Sequence, residues 1–381
     1  MPCLYLLLLT LLSGRGEPVP EVDPRLRFDI IVPAHNENGG IEATVTSLLA
    51  VDYPRHLFRV LVVADNCTDD TAAVASRSGA TVLTRQNAER RGKGYALAFA
   101  FERSLSDGFA DAVVVVDADT VVSPNLLSAF AGRLQSGEGA LQASYGVRNR
   151  DASWRTRLMC LGLALFHDTR SLGRERMGLS SGLRGNGMAV RSDVLQRVGY
   201  GAFSVVEDME YGFALAEAGI RVAWVEEARV LGEMAASEEA SRTQRRRWEG
   251  GRLTMLSQFL PRLVRGAFVH RDPVRLDLAL DLLVPPLATL TLAASVGLAV
   301  AASLSHLGVA AVWSLAPWAL ALVSLFVHVG RGWALSGLGW RGALDLAHVP
   351  AYVVWKLTLP FRGRRSPAGE WVRTRRNHEV L

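Results

Sequence analysis

The sequence predicts an α/β fold: a mostly parallel, doubly wound sheet followed by membrane helices. Three observations predict it. Apolar runs of strand length alternate with helical stretches between 28 and 116, the pattern of βαβ units. One run, Ala112-Val113-Val114-Val115-Val116, has the unbroken β-branched character of a strand buried on both faces. Further on, the stretches 282–304 and 309–329 are apolar and long enough to span a bilayer, at roughly 20 residues per helix.

In chain order, residues 1–13 come first. Their apolar part, 4–12, is shorter than a span. It lacks the basic start and small-residue cleavage site of a signal peptide, and is read as the end of a membrane helix that begins upstream. Residues 14–27 form a polar, Pro-rich linker. Strands are expected at 28–32, 58–64, 81–83 and 112–116, and helices at 41–49, from Thr71, and at 95–105. Residues 120–124 would lead into a helix at 126–134. A strand at 141–147 and one long, partly buried helix at 154–172 follow. Gly182-Leu183-Arg184-Gly185-Asn186-Gly187 is a Gly-rich loop without phosphate-loop spacing. Val205-Val206-Glu207-Asp208-Met209-Glu210 opens an amphipathic helix, where acids also serve as caps. Gln244, Arg247 and Trp248 share one face of a helix by the i, i+3, i+4 rule. The main domain ends near 260, and 261–281 is a basic segment suited to a membrane surface. In 342–359, Asp345, His348, Tyr352 and Lys356 fall on one stripe, so this helix is expected to lie in the interface. Residues 360–381 form a basic tail that the positive-inside rule keeps cytoplasmic.

Composition narrows the function. Lys and Arg exceed Asp and Glu by five, and arginines cluster at 242–252, 262–275 and 362–376. No basic stretch is interleaved with aromatics as in a groove for single strands, so nucleic acid is not the expected partner; an anionic membrane face is. Cys3, Cys67 and Cys160 are odd in number and far apart, which argues against a disulfide framework or zinc site.

Ligands of open α/β sheets collect at the carboxyl ends of the strands. Three polar clusters follow strands here: Pro33-Ala34-His35-Asn36-Glu37, Asp65 to Asp70, and Asp117-Ala118-Asp119. They should converge on one edge. Paired carboxylates are hard ligands suited to Mg²⁺ or Mn²⁺ with substrate phosphates, although Asp-x-Asp alone is also a common acidic turn. Arg90-Arg91-Gly92-Lys93-Gly94 is a Gly-flanked basic turn before a helix, either an anion site or a solvated turn.

In this order the motifs resemble the membrane-bound family 2 glycosyltransferases, relatives of cellulose synthase, hyaluronan synthase and ceramide glucosyltransferase. The resemblance covers about 28–260. It implies a nucleotide-sugar-binding domain of the glycosyltransferase A type, with its catalytic face in the cytoplasm of a multi-pass cell-membrane protein. It assigns Pro33, His35, Glu37, Asp65, Lys93 and Asp117 to the nucleotide sugar, and Asp119 to a Mg²⁺ or Mn²⁺ ion. Asp208 matches the general base, with Glu207 beside it. Gln244, Arg247 and Trp248, with Gly185 and Asn186, match the acceptor and diphosphate region. The implied reaction is inverting transfer from a nucleotide sugar, expected to be UDP-linked, to a lipid or lipid-linked (saccharide) acceptor. The alternatives are a processive polysaccharide synthase and a non-catalytic nucleotide-sugar-binding membrane protein.

Overall fold

The structure, a computed structural model, describes residues 1–16, 22–234 and 238–345, with side chains for all of these except 238–253, 341 and 343. The interfacial helix and tail expected at 342–359 and 360–381 lie outside the described residues from 346 onward. So do the side chains of Gln244, Arg247 and Trp248.

The chain forms α1 (Pro2–Leu11), β1 (Phe28–Ala34), α2 (Ile41–Leu49), β2 (Phe58–Asp65), α3 (Thr71–Arg77), β3 (Thr81–Arg85), α4 (Lys93–Asp107), β4 (Ala112–Val115), β5 (Thr120–Val122), α5 (Leu126–Gln135), β6 (Ala140–Val147) and α6 (Trp154–Leu163). A π-helical turn (Ala164–Thr169) joins α6 to α7 (Arg170–Arg176). Then come β7 (Met188–Arg191), α8 (Ser192–Val198), α9 (Glu207–Glu217), β8 (Val222–Gly232), α10 (Glu238–His270), α11 (Pro273–Leu283), α12 (Leu287–His306), α13 (Ala316–Ser336) and α14 (Gly339–Asp345).

One eight-stranded sheet has the order β3-β2-β1-β4-β7-β6-β8-β5. Strands β3, β2, β1 and β4 are mutually parallel. The sheet is mixed beyond β4, because β7 runs antiparallel to both β4 and β6, and β5 antiparallel to β8. Both faces are covered, as the valine run implies. Ala112 and Val114 pack with α2, α3 and α5 on one face; Val113 and Val115 pack with α4, α8 and α9 on the other.

Two expected elements differ. Residues 120–122 form an edge strand rather than a lead into the next helix: Thr120 pairs with Gly232 and Val122 with Val230, which uses their β-branched side chains. The helix expected over 154–172 is interrupted by the π turn. There the Thr169 side-chain hydroxyl donates to the Ala164 carbonyl five residues back, at 3.0 Å. The wider turn seats Leu165 against Gly332 of α13, where a Cβ on the glycine would lie 2.4 Å from the leucine methyl. Strands β7 and β8 and helix α8 were not anticipated.

Beyond the sheet, α10 and α11 pack on α9 through Met255, Phe259, Leu263, Leu278 and Leu282. The α12 helix starts only after Pro285-Pro286, since proline terminates α11 and suits a helix start. Arg174 of α7 is fully buried and joins three elements: its guanidinium meets Asp277 at 2.8 Å and Asp281 at 2.7 Å, both on α11, and donates to the Tyr5 hydroxyl of α1 at 2.9 Å. A buried network of this kind is by itself weak evidence of added stability.

Candidate active site

The parallel order β2-β1-β4 brings three strand ends together, and the polar clusters after them meet as expected. Asn36 and Asn66 turn the chain at the ends of β1 and β2 with φ of 55° and 52°, a conformation asparagine tolerates. The two loops are laced. A ring nitrogen of His35 lies 2.7 Å from the Asp65 carbonyl oxygen, Thr68 N donates to Asn36 Oδ1 (2.8 Å), and Glu37 N to Thr71 Oγ1 (2.7 Å). Asp65 is held by Arg85 from the end of β3 at 2.5 Å. Pro33 lies within β1 itself.

The β4 end faces the loop 182–187, because β7 begins beside Val115. Asn186 is fully buried: its Oδ1 accepts from Asp117 N (3.1 Å) and its Nδ2 donates to Thr120 Oγ1 (2.9 Å). Gln142 of β6 clamps the same loop from beneath, donating to the Asn186 carbonyl (2.7 Å) and accepting from Arg184 N (2.8 Å). Gly185 has φ +77°, and a Cβ there would lie 3.3 Å from both Asp208 Oδ2 and Lys93 Nζ. A side chain at 185 would therefore both strain the backbone and crowd the two charged groups.

Lys93 opens α4 and reaches to the middle of this group. Its Nζ donates to Asp117 Oδ1 at 2.6 Å and to the Gly185 carbonyl at 2.5 Å, and lies 3.6 Å from Glu207 Oε1. Burial alone would lower its pKa, but Asp117, then Glu207, outweigh that and raise it. Glu207 and Asp208 open α9. Burial raises the pKa of each carboxyl, and Lys93 works against that in both. Asp208 is thus a carboxylate with enhanced affinity for a proton. Arg184 is pulled down to about 10, chiefly by burial. Its guanidinium lies 4.5 Å from the Phe166 ring centre.

The structure thus brings together His35, Glu37 and Asp65 in one half, and Lys93, Asp117, Gly185, Asn186, Glu207 and Asp208 in the other, with Asp119 after β4. Gln244, Arg247 and Trp248 fall within α10. Sequence reading missed Arg85, Gln142, Thr120 and Arg184. Arg85 ends a strand like the other site residues, and Gln142 interrupts an apolar strand; both were available signals.

The sequence matches the family described as "Glycosyltransferase like family 2" over residues 24–251. The chain belongs to this family. The family 2 domain is 23% identical over 243 residues to the probable glycosyltransferase YdaM of Bacillus subtilis, covering 61% of this chain and 57% of that one. It is 30% identical over 253 residues to a beta-monoglucosyldiacylglycerol synthase of Synechocystis, covering 63% and 50%. The chain therefore spans only about half the length of these curated relatives. Among solved structures it is similar to the mannosyltransferase PcManGT of Pyrobaculum calidifontis, in complex with GDP-Man and Mn²⁺. The TM-score is 0.55 at 20% identity, covering 87% of this chain and 94% of that one. The fold is accordingly of the glycosyltransferase A type.

The donor set fits a divalent ion of the Mg²⁺ or Mn²⁺ kind. Among the described residues no group of three or more His, Cys, Asp or Glu side chains converges to hold a metal unaided. Asp117 and Asp119 instead offer the one or two carboxylates with which such ions are held when phosphates complete the shell.

Proposed function

We propose that the family 2 domain transfers a sugar, with inversion, from a nucleotide sugar of the UDP-linked kind to a lipid or lipid-linked acceptor at the cytoplasmic membrane face. The observation that carries this reading is the placement of Asp208. It is a proton-avid carboxylate beside Gly185, next to Lys93 Nζ, which in turn bonds to Asp117.

In this reading the His35–Glu37 and Asp65 loops hold the nucleoside. An acceptor hydroxyl enters past the 182–187 loop and gives its proton to Asp208 as it attacks. Asp119, with Asp117 near it, would hold the divalent ion, which when bound neutralises charge growing on the leaving diphosphate. Arg247 on α10, a bidentate phosphate donor by type, would close over the same diphosphate. With a single carboxylate base, displacement is direct and the anomeric centre inverts.

Membrane attachment rests on length and composition: α12 and the stretch Val312–Ser336 are long and apolar enough to cross. Their outward residues support it, since Phe326 is 80% exposed. So do Leu276, Leu280 and Leu283, which leave an exposed apolar stripe on α11, and the exposed Phe268 near the end of α10. A basic segment with such a stripe suits the bilayer interface. A diacylglycerol-type or other lipid acceptor fits a site next to that surface.

The test is a donor screen with purified protein and Mn²⁺, reading released nucleoside diphosphate with and without a lipid extract. Mass spectrometry of the product separates one added sugar, the expected result, from a polymer ladder.

A further inference from the structure

The 182–187 loop carries a second charged group beside the base. Arg184 directly precedes Gly185, the glycine whose missing Cβ faces Asp208 Oδ2. Its guanidinium folds back over Gly182, where a Cβ would lie 3.9 Å from Nη1, and Nη2 donates to the Ser181 carbonyl at 2.8 Å. Nε is buried with no hydrogen-bond partner. Among the described residues no carboxylate forms an ion pair with Arg184; Asp281 and Asp208 act on it only from farther off. The residue as a whole is partly exposed, so it stays open to a ligand.

The neighbouring cations are already matched. Arg170 pairs with Asp281 at 2.9 Å, and Arg174 with Asp281 and Asp277 at 2.7 and 2.8 Å. Burial, then the charges of Arg184 and Arg170, push the pKa of His167 well below its ordinary value, so this ring brings no charge. Three arginines thus share two aspartates, and Arg184 is left over. An enclosed guanidinium without a counterion is costly, and an anion would remove that cost.

Phe166 links this group to the membrane side. Its ring is 36% exposed and meets the guanidinium of Arg184 at 4.5 Å and that of Arg170 at 4.9 Å. A ring face holds a guanidinium while its forked N–H edge stays free for a phosphate. Phe166 belongs to the π turn whose Leu165 is seated on Gly332 of α13, in the second stretch long and apolar enough to cross a bilayer. Contacts therefore run from Gly185, beside Asp208, through Arg184 and the Phe166 turn to α13.

We propose that Arg184, backed by Phe166, binds a phosphate on the acceptor, so that the acceptor is a molecule whose attacked hydroxyl lies close to a phosphate ester. This rests on the reading of Asp208 as base toward an acceptor hydroxyl, and it narrows the class of that acceptor. A lipid headgroup and a soluble phosphate ester share this chemistry.

The experiment measures transfer in neutral detergent micelles, with Mn²⁺ and the donor that the screen selects. The acceptors are phosphatidylglycerol, whose glycerol hydroxyls neighbour its phosphodiester, diacylglycerol, and soluble glycerol 1-phosphate. Neutral micelles keep the basic 261–281 segment from favouring the charged lipid by surface attraction alone. Wild type should favour phosphatidylglycerol over diacylglycerol by at least about tenfold in kcat/KM. Comparable use of glycerol 1-phosphate supports the phosphate site with a soluble ester as its source. Failure of glycerol 1-phosphate beside active phosphatidylglycerol supports it with a lipid headgroup as the source. Arg184→Met should erase most of the preference, and Arg184→Lys should keep part of it, having the charge without the fork. The Kd of UDP with Mn²⁺ (or GDP, if the screen selects guanine) should stay within about threefold of wild type in both variants. If Arg184→Met does not fold, the wild-type preference and Arg184→Lys decide. Equal or better use of diacylglycerol by wild type overturns the proposal, and so does an unchanged preference in Arg184→Met. Nucleotide affinity weakened about tenfold or more overturns it too, by making Arg184 a ligand of the donor diphosphate. Asp208→Asn, run in parallel, keeps the two readings apart. Active Asp208→Asn, or no transfer to any of the three acceptors, removes the reading beneath. Dead Asp208→Asn with equal use of charged and neutral acceptors by wild type removes only the role given to Arg184.

Discussion

Asn186 is buried with both ends of its amide engaged, one on the Asp117 backbone and one on Thr120. Asn186→Ala would leave the Asp117 N–H without this partner, at about 1–3 kcal/mol, and the Thr120 hydroxyl with only its contact to Asp119. A lower thermal midpoint and a larger loss of transfer than of folding are expected; an unchanged midpoint would show the amide to be dispensable. Asp168, which accepts from Ser144 at 2.9 Å, carries a pH dependence. Burial pushes its carboxyl up to about 6 from an ordinary 3.8. The folded chain therefore prefers the protonated acid. That preference is fully present below the ordinary value and lost as pH rises through about 6. Relative to Asp168→Asn, wild type should lose about 1–3 kcal/mol between pH 4 and pH 7, read from unfolding midpoints across that range. A difference that stays flat with pH would contradict it. At this scale the sequence exposed the residues that end strands or start helices, such as Asp117, Lys93 and Asp208. It hid Gln142, whose partners lie 42 and 44 positions away.

The parallel half of the sheet was legible because each strand is a short, unbroken apolar run followed by helical periodicity. Of the mixed half beyond β4, only β6 was. Strand β8 pairs with β6 through a register shift that jumps from Val225 to Arg229, so Glu226 and Glu227 break the period of two that marks a strand. Strand β7 is too short to show a period at all. Likewise the π turn inserts a residue into a pattern that reads as continuous helix. Contacts between elements were also invisible, and Gly173 shows why: only packing reveals that a Cβ there would sit 2.4 Å from the Leu9 carbonyl oxygen and 2.9 Å from its Cα. Backbone cannot yield as a side chain does, so Gly173→Ala should push α1 away from α7. An unfolding midpoint lowered in keeping with about 1–3 kcal/mol, with nucleotide affinity preserved, is expected. An unchanged midpoint would mean that α1 is not seated on α7 as described.

For the whole molecule, the site and the apolar helices are parts of one arrangement. Arg174 binds α1, α7 and α11 together, and the chain passes from α11 through two prolines directly into α12. Nucleotide sugars are cytoplasmic, so the chain should enter α12 from that side and return to it at the end of α13. A cysteine at Gly308, in the exposed turn between the two helices, should react with an impermeant reagent applied outside intact cells. One at Gly337 should not. Protection of Gly308 or labelling of Gly337 would reverse or abolish the proposed crossing. The proposed transfer depends on Asp208 acting on a hydroxyl brought to the membrane surface. The most direct test compares wild type with Asp208→Asn for lipid-dependent release of nucleoside diphosphate, in Mn²⁺ and with the donor that the screen identifies. Wild type should release it only when lipid acceptor is present, and the variant should bind donor normally while turnover falls by at least about 10²-fold. Near-normal turnover in the variant, or no consumption of any nucleotide sugar by wild type, would contradict it.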